Sequence, residues 1–172
     1  MIAQLTPADL PDAEADLSDI LHACVLAGAS VGFIQPFTPA AARSYWRDRV
    51  FPCVAEGQHE IMVNRSNGVI TGTVQLITAQ MPNQPHRADV AKLLVHPNQR
   101  RHGTGRALMM ALEDRARALG LNLLVLDTRS GDPSQRLYES LGFQIAGEIP
   151  GFCLSPTEPR YEPTTYLYKA LA

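Results

Sequence analysis

Between an apolar run at Leu93-Leu94-Val95 and a helical repeat that begins at Ala107 lies the segment Arg100-Arg101-His102-Gly103-Thr104-Gly105. A strand that runs through a glycine-bearing loop into a helix gathers the helix's unpaired N–H groups and partial positive charge at one point. Glycines let that backbone approach a ligand closely, so a phosphate is the natural occupant. Arg100, Arg101 and Arg106 add charge-assisted contacts around it. A helix start that merely needs flexible residues explains two glycines less well once three arginines surround them.

Two nucleotide motifs compete for this loop. The P-loop needs Gly-Lys-Ser/Thr after four spacer residues, and the sequence has none. The dinucleotide fingerprint comes nearer, because Gly103 and Gly105 are followed by Asp127 at about 20 residues. Against it stand Leu108 at the third small position and the several residues, Pro97 among them, between strand end and first glycine. Too little of the 172-residue chain remains after Asp127 for a second half-domain.

Around the loop, Thr6-Pro7 and Thr38-Pro39 read as N-cap and first helical residue. The first helix carries Leu10, Leu17, Leu21 and Cys24 on one face and stops at Gly28. The second carries Tyr45 and Trp46 and is expected to end at Pro52. Ile61 and Val63 alternate in a strand, Asn67-Gly68 is a tight hairpin turn, and residues 69–79 and 87–95 read as further strands. The helix after the loop ends at Gly120. Residues 121–126 read as a short strand buried on both faces. Asp132-Pro133 opens a helix that Gly142 closes. Residues 143–147 and 165–171 read as closing strands, with a proline-rich loop over 150–163 between them. The order α-α-β-β-β-α-β-α-β-β describes a mixed sheet with helices, in one domain over residues 1–172.

Composition removes several classes. A net charge of -2, from 15 basic and 17 acidic residues, does not suit a nucleic-acid partner. Three scattered cysteines without a CxxC pair indicate neither a disulfide framework nor a metal site. The cysteines read as inert small hydrophobes. No apolar stretch reaches membrane-spanning length, and the chain start does not read as a signal peptide, so the expected setting is cytoplasmic, without a membrane partner.

The segment Arg100-x-x-Gly103-x-Gly105, preceded by Leu93-Leu94-Val95-His96-Pro97, resembles the acetyl-CoA loop of the GNAT N-acetyltransferase superfamily. Leu137-Tyr138-Glu139-Ser140-Leu141-Gly142-Phe143 is similar to its second signature. Gly28-Ala29-Ser30-Val31-Gly32-Phe33, Arg87-Ala88-Asp89-Val90, Leu126-Asp127-Thr128 and Gly147-Glu148-Ile149-Pro150-Gly151-Phe152-Cys153 look like the tabtoxin-resistance acetyltransferases, whose members acetylate a small amino-bearing β-lactam toxin. The resemblance implies an α/β (α+β) fold. Its sheet is mixed and mostly antiparallel, flanked by helices, and splayed between the two central parallel strands. It implies acetyl-CoA as co-substrate, no metal, a small-molecule amine as acceptor, and a dimer as the common family assembly. A non-catalytic acyl-CoA sensor is the alternative from another class, with a dinucleotide enzyme behind it.

In such folds the pantetheine arm pairs with the strand edge exposed at the splay, here Leu93, Leu94 and Val95, and a backbone N–H near Leu94 or Val95 holds the thioester carbonyl. The pyrophosphate rests on amides of Arg101, His102, Gly103, Thr104, Gly105 and Arg106. Ser134 stands where the family often has alanine, and Gly131 where it often has asparagine. Direct transfer needs a base for the protonated amine and an acid for the leaving thiolate. Asp127, at its strand's end, and Asp89, on the neighbouring strand, are the candidate bases. Tyr138 is the candidate acid, a phenol with an ordinary pKa near 10. Phe33, Trp46 and Tyr161, with Asp89, are the candidate acceptor-site residues.

Overall fold

A computed structural model describes residues 1–171. Seven strands form one sheet: β1 (Ile2–Gln4), β2 (His59–Ser66), β3 (Val69–Thr78), β4 (Arg87–Val95), β5 (Leu123–Arg129), β6 (Gln144–Leu154) and β7 (Tyr161–Ala170). Their spatial order is β1-β2-β3-β4-β5-β7-β6. Neighbours are antiparallel except β4 and β5. The mixed, mostly antiparallel sheet implied by the resemblance is therefore the sheet found. A dinucleotide fold rests on a parallel sheet, which this is not.

Alternation along the strands divides the interior into two cores. Ile61 and Val63 pack with Leu17, Leu21 and Trp46 from helices α1 (Leu10–Leu26), α2 (Pro39–Ser44) and the turns after it. Met62, Val74 and Leu76 pack on the other face with Leu108, Met109, Leu112 and Ala116 of α4 (Thr104–Ala118) and Tyr138 of α5 (Pro133–Ser140). The Asn67-Gly68 turn has positive φ at both residues, 51° and 84°, as a tight hairpin of two residues requires. Among the described residues no helix is long and apolar enough to cross a membrane.

Three helices close in the same way. Behind α1, α4 and α5, glycines 28, 120 and 142 take left-handed φ of 84°, 74° and 88°. In each, the glycine N–H bonds the carbonyl three residues back, and the next residue's N–H bonds the carbonyl five back. This is the Schellman closure. It corrects one strand boundary: Leu121 is the residue after the α4 glycine, with its N–H on Ala116, so β5 starts at Leu123. Nor is β5 buried on both faces. Leu124 and Leu126 are buried, whereas Leu123 and Val125, on the opposite face, are only partly so.

Pro52 does not end the second helix. A π-helical turn over Tyr45–Val50 leads into α3 (Phe51–Ala55), with Pro52 in its first turn. The wider turn, in which the Phe51 N–H reaches back to the Trp46 carbonyl, makes room for a ring that would clash in a regular α-helix. The closing strands are longer than expected. A register shift between Ile149 and Cys153 absorbs Pro150 within β6, and β7 begins at Tyr161. β1 has no counterpart in the sequence reading, being three residues long.

The sheet opens at its centre. β4 and β5 pair only where Arg87, Ala88 and Asp89 face Leu123, Leu124 and Val125. Past that point each continues without the other. On its far side, the β3–β4 register shifts by one residue between Thr73 and Gln75, opposite Lys92, whose φ is 50°.

Candidate active site

Where β4 and β5 part, a cavity of about 690 Å³ opens. It is walled by residues 90–95 of β4, by Asp127, Thr128 and Arg129 of β5, by the turn after α1, and by Ser134 and Tyr138 of α5.

Asp127 follows Leu126, which is buried toward α4, so its carboxylate points to the α1 face. Thr164 of β7 donates its hydroxyl proton to Asp127 Oδ2 at 3.0 Å, shared with the Thr128 carbonyl at 2.9 Å. Tyr138 comes from the opposite face. Its carbonyl takes the Phe143 N–H in the α5 closure, and the two rings pack tilted at 59° with centroids 5.9 Å apart, which fixes the phenol direction. The residue is 6% exposed and its hydroxyl makes no hydrogen bond among the described residues. Burial pushes the phenol pKa well above its usual value, and the charge of Asp127 adds to this. Ser134 Oγ lies 2.8 Å from the Thr128 hydroxyl, joining the first turn of α5 to β5.

The glycine loop reaches the cavity through Arg100 and Arg101. Gly103 caps α4 with φ 78°, and Arg101 is left-handed at 65°. A Cβ on Gly103 would touch nothing within 4 Å, so the backbone conformation, not crowding, calls for glycine there. Gly105 is the reverse: a Cβ would sit 3.3 Å from Leu137, so its smallness lets α4 and α5 meet. The three arginines separate. Arg100 folds back to donate to the Val95 carbonyl at 3.2 Å and to Cys24 Sγ at 3.7 Å. Arg106 donates to Ser140 Oγ at 2.7 Å. Arg101 lines the cavity with no protein partner among the described residues. His102, Gly103 and Thr104 border a shallower groove on the outer side, beside Asn64 and Thr71.

Four expected acceptor-site residues are not brought to the cavity wall. Asp89 lies where β4 and β5 are still paired and forms an ion pair with Arg87 at 2.7 Å. Trp46 is 0% exposed, with its indole N–H on the Leu17 carbonyl at 2.9 Å, and belongs to the α1 core. Phe33 packs against Phe37 and Tyr45, behind the wall rather than on it. Tyr161 is 73% exposed at the start of β7. Leu93, Leu94 and Val95 do line the opening, on the edge that β5 has left.

Residues to which the sequence reading gave no site role also reach the cavity. Lys92 projects into it from the β4 bulge, and Phe152 and Thr164 contribute from β6 and β7. Arg129 ties the turn after α1, β7 and the start of α5 together, bonding the Gly28 carbonyl at 3.2 Å, Glu162 at 3.1 Å and Asp132 at 3.0 Å. The one sequence signal for Lys92 is a cation inside the apolar run Val90-Ala91-Lys92-Leu93-Leu94-Val95. Among the described residues no group of three His, Cys, Asp or Glu is placed to hold a metal.

The cavity thus joins an open strand edge, a loop of left-handed backbone at a helix N-terminus with one free arginine, a carboxylate and a buried phenol. A ligand with phosphates at one end and an amide-bearing chain fits that sequence of features. The acetyltransferase (GNAT) family model matches residues 30–143. The chain is 34% identical over 116 residues to an uncharacterized N-acetyltransferase from the hisH-hisA intergenic region of Azospirillum brasilense, covering 66% of this chain and 67% of that protein. It is 29% identical over 93 residues to the L-amino acid N-acyltransferase MnaT of Escherichia coli (strain K12), about half of each chain at 54%. The fold superposes on a GNAT superfamily phosphinothricin acetyltransferase from Sinorhizobium meliloti in complex with acetyl-CoA. The TM-score is 0.81 at 19% identity, over 100% of this chain and 88% of that one.

Proposed function

Because the chain belongs to the acetyltransferase (GNAT) family, we propose that it moves an acetyl group from acetyl-CoA directly to the amine of a small amino-acid-like molecule. The observation that carries this is the meeting of Asp127 and Tyr138 from opposite faces of the sheet at the gap between β4 and β5. The acceptor class is supported by MnaT, named for L-amino acids. The tabtoxin-resistance resemblance makes a β-lactam amino acid one acceptor to try.

Acetyl-CoA supplies an acyl group activated as a thioester. The chain's own groups divide the remaining work. Amides at the start of α4 and the Arg101 guanidinium hold the phosphates. The edge of Leu93, Leu94 and Val95 takes the amide-bearing arm, and a backbone N–H there faces the acyl oxygen as negative charge develops on it. Asp127 takes a proton from the acceptor ammonium, directly or through water, so that nitrogen can bond to the acyl carbon. Tyr138, kept protonated by burial, gives its proton to the sulfur as the carbon–sulfur bond breaks, and the second proton shed by the acylated nitrogen returns to the phenolate, directly or through water.

Thiol release from acetyl-CoA across a panel of primary amines tests the reading. At least one amino acid should release thiol in proportion to N-acetylated product. Binding of acetyl-CoA without turnover of any amine would instead favour a sensor.

A further inference from the structure

The bulge in β4 re-aims a lysine. Val90 and Leu93 both face the α4 core, although three positions separate them. The inserted residue therefore carries Lys92 to the α1 face, where strict alternation would have sent it toward α4. Its Nζ lies 5.5 Å from the Tyr45 ring centroid and 6.0 Å from that of Phe33. Among the described residues it has no hydrogen bond and no carboxylate within 4.0 Å.

A lysine usually extends its ammonium into water. This one lines the cavity and is held over two rings that back its wall, an arrangement that costs free energy unless an anion completes it. Burial lowers its pKa, and Asp127, across the splay, offsets only part of that.

We infer that Lys92 anchors an anionic group of the acceptor, a carboxylate or similar oxyanion, and so selects amines that carry a negative charge close to the amino group. The inference rests on the acetyl-transfer reading of the same cavity. It sharpens that reading. A zwitterion places its ammonium beside Asp127 and its carboxylate on Lys92. A polyamine would set a second cation against Lys92, and neutral amines leave it unpaired.

The test uses matched sets: L-amino acids, their carboxamides, the corresponding decarboxylated amines, and spermidine. With the native protein, kcat/KM for a carboxylate form should exceed its carboxamide by about 30-fold or more, mostly through KM, as truncating one partner of a buried charge pair does. In Lys92→Met that ratio should fall to near one, and Lys92→Arg should restore part of it. Thermal stabilisation of the CoA-loaded protein by the same compounds supplies a readout independent of turnover, and stabilisation of each variant by acetyl-CoA shows that it is folded. Equal use of carboxylates and carboxamides by the native protein, or a preference that survives in Lys92→Met, overturns the anchor while leaving the transferase standing. Preferential binding of carboxylates without turnover keeps the anchor and sinks the transferase. Failure of carboxylates both to bind and to react overturns both.

Discussion

Asp127 and Tyr138 share a cavity but belong to different faces of the sheet, and that separation suits opposite proton duties. The carboxylate lies on the α1 side, where Lys92 and the turn after α1 stand. The phenol lies on the side of the glycine loop. Asp127→Asn keeps the contact with Thr164 but removes the proposed base, so kcat should fall by about 10²- to 10⁴-fold with little change in stability. Kinetics with saturating acetyl-CoA, alongside a thermal melt, would check this. Full activity in Asp127→Asn would remove it from the mechanism. Tyr138→Phe should lower kcat by about 10²-fold or more. Because burial raises the phenol pKa, the native rate should show no tyrosine-linked fall below about pH 10. The same shift couples to folding. A phenol that ionises later in the folded state than in the unfolded one favours the fold below the ordinary pKa of about 10, and that contribution is lost as pH rises through the folded value. Tyr138→Phe should therefore flatten part of the alkaline decline in stability, measured by denaturant melts. The places of both residues at the cavity were legible in the sequence: a strand end is a fixed place, and the Leu137-to-Phe143 segment carries its own closure. Trp46 misled because an aromatic residue on a helix face serves a core as readily as a pocket, and its indole N–H found a buried carbonyl.

At the scale of elements, glycine governs where chains approach. Gly72 on β3 is an example apart from the turns. A Cβ there would lie 3.1 Å from the Leu94 carbonyl, 3.1 Å from Thr104 Cγ2 and 3.2 Å from Leu108 Cδ1. One of those neighbours is backbone of the strand that borders the site, and two belong to the start of α4. Gly72→Ala must push β3 from β4 or lift the first turn of α4, costing about 1–3 kcal/mol of stability. Since α4's first turn is also the proposed phosphate cradle, the same variant should bind acetyl-CoA more weakly. A melt and a calorimetric titration together would show both effects, and an unchanged pair would mean the contact relaxes freely. Helix ends were the best-read features of the sequence, because the glycine closures of α1, α4 and α5 depend on a few adjacent residues. Proline was the least reliable sign. Pro52 sits inside a helix because the preceding π turn accommodates it, and Pro150 sits inside β6 at an edge register shift. Both outcomes depend on neighbours in space, which local patterns do not carry.

On the scale of the whole molecule, the sheet is continuous in order but nearly divided at β4 and β5, which pair over three residues of each strand. Among the described residues the α1 core draws strand residues from β1 to β4 and none from β5 to β7, whereas the α4 core spans both sides of the division through Leu124, Leu126 and Leu167. The α4 face therefore holds the halves together, and the gap remains on the other. That arrangement was legible only through the resemblance, since no local pattern states which strands part. The bulge that turns Lys92 inward was not legible at all, because a one-residue shift in pairing depends on the partner strand. A ligand whose arm lies along the free edge of β4 and whose phosphates rest on α4 ties the loop, the edge and α5 into one unit. Acetyl-CoA at about 100 times its Kd should add about 2.7 kcal/mol to the folding free energy, raising Tm by roughly 5–10 °C for a chain of this size. CoA should do nearly as much if the loop and the edge contribute most of the binding, and NAD(H) should do nothing. Hydrogen exchange should slow in the Leu93–Val95 segment and the first turn of α4, while β1 and β2, outside the division, stay unchanged. Stabilisation without protection of that edge would place the ligand on the loop alone, and the open strand would then have no part in holding the acyl group.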